Sequence, residues 1–322
     1  MTTKIEISHK TIIFTLVLLA AIWFVWLIRD ILLFLFIAFI VMSALRPSVD
    51  GLEKRKMPRF LAILLLYVIV FGVIGLSIAG IIPSLIIQST HLMQDLPKFI
   101  ERMLPYWNLN LNDWSRQLAP LGQNLVRMTI NIFSNVITIV TTLVFVFYFL
   151  LERKHMKQTL AGFVGDAASV RIMLVLERIE NRLGMCVQGQ LILMLIIGIM
   201  TYAGLLLLKI DFALPLALFA GLLEIVPNIG PVISAIPAVI VALATSPVAA
   251  LTVIALFIFV HQSENNFIVP LVMKKSVGLS PLMTIFALMV GGKLAGIAGA
   301  VLAVPVVLII QELISVILSS KK

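Results

Sequence analysis

Charge is scarce in this chain and cysteine nearly absent. Asp, Glu, Lys and Arg together make up 12% of the 322 residues, against about a quarter in an ordinary soluble domain. Cys186 is the single cysteine, which excludes an intrachain disulfide and a cysteine-rich metal site. No Walker A glycine–lysine loop occurs, so the usual carrier of ATP-driven work is missing. No H-E-x-x-H or G-x-S-x-G occurs either, which removes the common signatures of a membrane protease or lipase. His91 and His155 stand alone, without metal-ligand spacing. What fills the space is apolar: 61% of residues are hydrophobic and the mean hydropathy is +1.14. That composition describes an integral membrane protein and excludes a soluble enzyme; an all-α, polytopic protein without enzymatic activity is expected.

The net charge of +9 would suit nucleic acid in a soluble protein, but its distribution indicates membrane orientation instead. Lys4, Lys10, Arg46, Lys54, Arg55, Lys56, Arg59, Arg153, Lys154, Lys157, Arg171, Arg178, Arg182, Lys274, Lys275, Lys321 and Lys322 fall to one side if the apolar runs cross in turn. The positive-inside rule then places both termini in the cytoplasm, and no nucleic-acid partner is expected.

A crossing needs about 20 apolar residues. Thr11–Ile28 and Ile31–Leu45 are two short runs divided by Arg29-Asp30, and the spacing predicts an antiparallel pair that ends at Arg46-Pro47. The apolar run from Thr11 lacks a small-residue cleavage site and is expected to be the first membrane segment rather than a cleaved signal. Residues 1–82, completed by the clean span Phe60–Ile82, form an N-terminal group of membrane helices. Residues 83–128, with Tyr106, Trp107 and Trp114, are expected to be an amphipathic segment outside the cytoplasm, at the interface. Residues 129–151 cross back. Residues 152–185 form a cytoplasmic amphipathic segment, and residues 186–322 a C-terminal transport core. The total is about eight membrane elements.

Two stretches of that core are interrupted in matching ways. The first contains Glu224-Ile-Val-Pro227-Asn228-Ile-Gly230-Pro231; the second contains Gly291-Gly292-Lys293, then Gly296 and Gly299. When Pro215 is laid on Pro281, Gly230 falls on Gly296, and Lys293 lies three positions past the match to Glu224. A broken helix leaves backbone groups that hydrocarbon cannot satisfy, so it survives only when buried in protein or lining a watery cavity. Two such breaks in corresponding positions point to a transport site near the bilayer midplane. They predict two broken, re-entrant-like hairpins entered from opposite sides.

Glu224 is the sharpest candidate, because a carboxylate near the bilayer centre costs about 2.5–3.5 kcal/mol and needs a partner, a proton or water. It is either a coupling group or a structural carboxylate that caps the break or meets Lys293. Lys293 itself faces an anionic substrate, neutralises Glu224, or snorkels to an interface. Pro227 and Pro231 remove two amide donors. With Asn228 they make either an oxygen-lined cavity or a tight turn. His261-Gln-Ser-Glu264-Asn265-Asn266 interrupts another apolar run; it lines a cavity in which His261 relays protons, or it is a helix end in water. Around Gly296 the small residues permit close helix packing.

The run from Glu224 to Pro237 resembles the signature of the AI-2E family of bacterial transporters, named for export of the quorum-sensing signal autoinducer-2. Glu264-Asn-Asn-Phe-Ile-Val-Pro270, Ser276 to Pro281 and Gly291 to Pro305 are similar to the same family, with weaker echoes at Arg46-Pro47 and Gly189-Gln190-Leu191. Arg46 stands where the family commonly has asparagine, and the second span lacks the usual proline. The resemblance implies a homo-oligomeric transporter of the bacterial inner membrane, associated with autoinducer-2 efflux or with sodium/proton exchange. Its motif positions here are Glu224, Pro227, Asn228, Gly230, Pro231, Asn265, Pro270, Gly278, Gly296 and Pro305. The expected partners are a small polar solute, a monovalent cation or protons, and the lipid bilayer; no cofactor is expected. The leading expectation is a secondary transporter exporting a small polar solute such as autoinducer-2; the alternatives are a monovalent cation/proton antiporter and, from another class, a non-transporting scaffold or regulator whose partner docks on residues 152–185.

Overall fold

A computed structural model of the chain describes residues 9–72, 136–227, 229–273 and 279–319. The expected interfacial segment 83–128, and Asn228 and Gly278, lie outside the described residues. Among the described residues the chain is all helical: α1 (His9–Leu27), α2 (Arg29–Lys54), α3 (Arg59–Gly72), α4 (Val136–Glu152), α5 (Met156–Val164), α6 (Asp166–Leu207), α7 (Ala213–Leu223), α8 (Gly230–Thr245), α9 (Pro247–Ser263), a π-helical segment (Glu264–Ile268), α10 (Val269–Met273) and α11 (Pro281–Ser319). Four helical stretches are long and apolar enough to cross a membrane: Arg29–Lys54, Asp166–Leu207, Pro247–Met273 and Leu282–Leu318. Five shorter apolar helices accompany them. Large apolar side chains remain uncovered along most helices, which is the surface a multi-pass protein presents to lipid rather than to water.

Two N-terminal expectations are corrected. No antiparallel turn forms at Arg29-Asp30: the helical hydrogen bonds continue, Ile28 N–H to the Phe24 carbonyl and Leu32 N–H to the Ile28 carbonyl, each at 3.0 Å. Without Gly or Pro, nothing there interrupts the ladder, and only Ile28 departs from helical geometry. Nor does Pro47 stop α2, which runs on to Lys54. The residues after the proline are tied down, Val49 in the core and Asp50 to Arg46 and Arg59.

One apolar cluster joins α2, α3 and α4 through Ala38, Met42, Ala62, Ile63, Val146 and Leu150. The Tyr67 hydroxyl donates to the Leu143 carbonyl at 2.6 Å, adding a polar pin between α3 and α4. The other half of the molecule is built on α6. Its 42 residues extend roughly 63 Å at 1.5 Å per residue, so residues 166–185 of the expected cytoplasmic segment and the following span are one continuous helix, while α5 is separated from it at Gly165. Against α6 pack α2, α7, α9, α10 and α11. A second apolar cluster of Leu205, Leu216, Ala220, Ala238, Val241 and Val253 joins α6 to α7, α8 and α9.

The basic ends of these helices are laced by ion pairs. Glu180 of α6 is fully buried and takes Arg153 Nε at 2.7 Å and Arg46 as a second partner. Arg46 reaches Asp50 and Glu177 as well, and Arg59 bridges Asp50 and Glu53. Arg182 holds Glu312 at 3.0 Å, tying α11 to α6. Desolvation offsets much of the attraction in such pairs, yet removing one partner of a buried pair costs about 3–5 kcal/mol.

Candidate functional site

The chain folds back at both breaks. In the first, α7 ends at Leu223 and α8 starts at Gly230. A Cβ on Gly230 would lie 2.2 Å from the Leu223 carbonyl oxygen, so only glycine lets the two helices meet here. In the second, α11 departs from helical geometry at Ala295 and Gly296, the latter at φ +59 and ψ −140, a conformation reserved for glycine. The halves of α11 then lie against each other: a Cβ on Gly299 would stand 2.0 Å from the Gly291 carbonyl oxygen. Ala287 and Leu288 of the first half pack with Ala303 of the second. The small residues around Gly296 therefore serve close packing, as expected. Val226, in the turn of the first break, packs on this same cluster; the first turn rests against the second hairpin.

Glu224 sits where α7 ends. Its side chain is fully buried, and among the described residues neither carboxylate oxygen has a hydrogen-bond donor. What it faces is the carboxylate of Glu264, itself only 3% exposed. Glu264 opens the π-helical segment, and a π turn inserted into an α-helix re-aims side chains, commonly at functional sites. His261, one turn earlier, places Nδ1 3.3 Å from Glu264 Oε2. The amide of Asn265 donates to the His261 carbonyl at 3.1 Å and lies 3.1 Å from its Nε2.

Two buried carboxylates that face each other repel unless a positive charge, a proton or a cation, enters the gap. The arrangement can therefore accept and release one such charge, with the imidazole of His261 at its rim.

The remaining expected residues divide. Pro227 lies half-buried in the turn and Pro231 at the start of α8, where its missing N–H is not needed. Asn266 is exposed and donates to Gln262 at 3.3 Å. Lys293 is exposed at the second break, and no ion pair joins it to Glu224 among the described residues; Gly291 and Gly292 are half-buried beside it. The sequence reading missed Gln190 of α6. Its side-chain amide donates to the backbone carbonyl of Glu224, one of the carbonyls left over when α7 stops.

The sequence profile described as AI-2E family transporter matches residues 12–319. The chain belongs to the AI-2E transporter family. YrrI of Bacillus subtilis (strain 168), whose name marks it as a transport-protein candidate, is 29% identical over 305 residues, covering 89% of this chain and 86% of YrrI. YueF of the same strain is 28% identical, covering 96% of this chain and 87% of its own length. YhhT of Escherichia coli (strain K12) is 28% identical, with 86% and 82% covered. Both carry the same kind of name. This AI-2E member is thus a multi-pass membrane protein of a transport family.

Proposed function

We propose that this AI-2E family member is a secondary transporter that exchanges protons for a monovalent cation at the Glu224–Glu264 pair. One observation carries the reading: the buried carboxylates of Glu224 and Glu264, from different elements, face each other, and among the described residues no donor reaches either oxygen of Glu224. Membrane proteins retain such groups rarely and at cost, typically on ion and proton pathways. Competition between a proton and a cation for one gap is the elementary event of exchange. Glu264 is the second wall and His261 the proton relay toward the rim. Both folded-back elements are read as re-entrant hairpins entered from opposite sides of the inner membrane, with the Glu180 ion-pair network and the Glu312 end of α11 on the cytoplasmic side; because α1 runs on into α2, its N-terminal end is read on the side away from Arg46. The basic residues at that end support this orientation.

Export of a small polar solute such as autoinducer-2 is the second reading, supported by the family description. In that case the pair would supply the coupling proton rather than hold the cargo.

The test is reconstitution in proteoliposomes. Sodium, lithium and potassium are each added against an imposed pH gradient between pH 6 and 9, and autoinducer-2 efflux is followed in parallel. Cation-driven collapse of the gradient that Glu224→Gln reduces by about tenfold or more would support exchange, since a group acting in the transport step rarely contributes less. No response to any of the three cations would sink the exchange reading, and autoinducer-2 efflux in its absence would establish the solute reading.

A further inference from the structure

We infer that Gln190 is a positioning residue for Glu224: its amide on the Glu224 carbonyl holds the end of α7 so that the carboxylate stays buried against Glu264. The role rests on the reading of Glu224 as the exchange group. When a helix stops, its last carbonyls lose their amide partners and must find others. In the first break Pro227 and Pro231 take two further amide donors out of the turn. The amides of Ile225 and Val226 turn back to Leu222 and Leu223, and Gly230 N–H goes to the Val226 carbonyl. None of these reaches the Glu224 carbonyl, and the donor it receives among the described residues is the Gln190 side chain.

The bond comes from outside the hairpin, from the longest of the described helices, at a point where α6 runs close along α7. There a Cβ on Gly221 would stand 2.8 Å from the Met194 carbonyl oxygen. Ten residues before Gln190 on the same helix, Glu180 is gripped by Arg46 and Arg153. Gln190 thus ties the end of a broken helix to a rod anchored by the ion-pair network. A neighbouring residue provides the contrast: Gln188 Nε2 donates to the Ala44 carbonyl at 2.6 Å, a bond of the same kind that joins α6 to α2 away from the site.

The experiment measures reaction of Glu224 with dicyclohexylcarbodiimide, an apolar reagent that modifies carboxyl groups inside membranes, on the full chain in liposomes at one fixed pH. Peptide mass spectrometry follows the rate at Glu224. Gln190→Met keeps the length and volume of the side chain and removes the donor. It should speed labelling by roughly fivefold, the change expected when a local opening loses one hydrogen bond. Gln188→Met should leave the rate unchanged. Equal rates in wild type and Gln190→Met would overturn the inference, as would equal acceleration by both variants, which would show a general loosening of α6. If Gln190→Met does not accumulate, Gln190→Asn, one methylene short of the carbonyl, gives the same comparison. Failure of both to accumulate beside a normal Gln188→Met would make Gln190 a folding residue and also overturn it. Transport by Glu224→Gln separates the two claims: undiminished transport removes the exchange reading, while the labelling rates still decide the positioning role.

Discussion

The two folded-back elements carry the same signature and bury it differently. Each has a glycine that only glycine can occupy, apolar arms that pack on each other, and an ionisable residue near the break. In the first, the turn rests on the second hairpin and its carboxylate is completely covered. In the second, the packing lies among Ala287, Leu288, Gly291, Gly299 and Ala303, and Lys293, beyond it, is uncovered. A polar group becomes a transport candidate by being desolvated without a partner, and only one of the two breaks does that to its ionisable residue.

Four substitutions would sharpen or break this contrast. The largest effect is expected at Gly299. Gly299→Leu drives a side chain into the Gly291 backbone and should destabilise by about 3 kcal/mol or more, seen as a steep loss of folded protein and a lower thermal midpoint in detergent. Gly230→Ala should cost about 2–3 kcal/mol, because the added methyl meets the Leu223 carbonyl, backbone that cannot rotate away. Its loss of transport should exceed its loss of stability, since the same glycine sets the Glu224 turn; parallel losses would argue against a site there. Gly296→Ala has open space for its methyl but an unfavourable backbone at φ +59 and ψ −140. About 1–2 kcal/mol is expected, and a smaller thermal shift than at Gly299 would show that packing, not backbone conformation, holds the second hairpin. Lys293→Gln should change stability by less than about 0.5 kcal/mol and leave cation-driven gradient collapse at least half intact. A loss as large as that of Glu224→Gln would restore Lys293 to the site and erase the contrast.

The legible part of the site was the part written in local rules. Proline and glycine near Glu224 and Gly296 announce broken helices because they remove donors and permit conformations closed to other residues. The polar run from His261 to Asn266 announced an interruption, though not that it would be a π turn that aims Glu264 inward. Elsewhere local rules misled. Arg29-Asp30 looked like a turn, but charge alone does not break a helix, and the hydrogen bonds run through it. Pro47 looked like a stop, and tertiary ties carried α2 past it. Gln190 appeared only within the weak family echo Gly189-Gln190-Leu191, with no role attached, since a lone glutamine in an apolar run has no periodicity or spacing to betray its partner 34 positions away.

By itself, then, the sequence determined that this is a multi-pass helical membrane protein of the AI-2E family and where two of its helices must break. Hydropathy, glycine and proline act over one or a few turns, so they can be read in order along the chain. Which polar groups meet was decided by the tertiary structure. Glu224 and Glu264 lie 40 positions apart on different elements, and Lys293 shares the motif yet lies outside the pair. The long α6, the π turn and the packing of one hairpin on the other bring the first two together and leave the third out, because burial is set by which helices pack over a residue, not by the residue's neighbours in the chain.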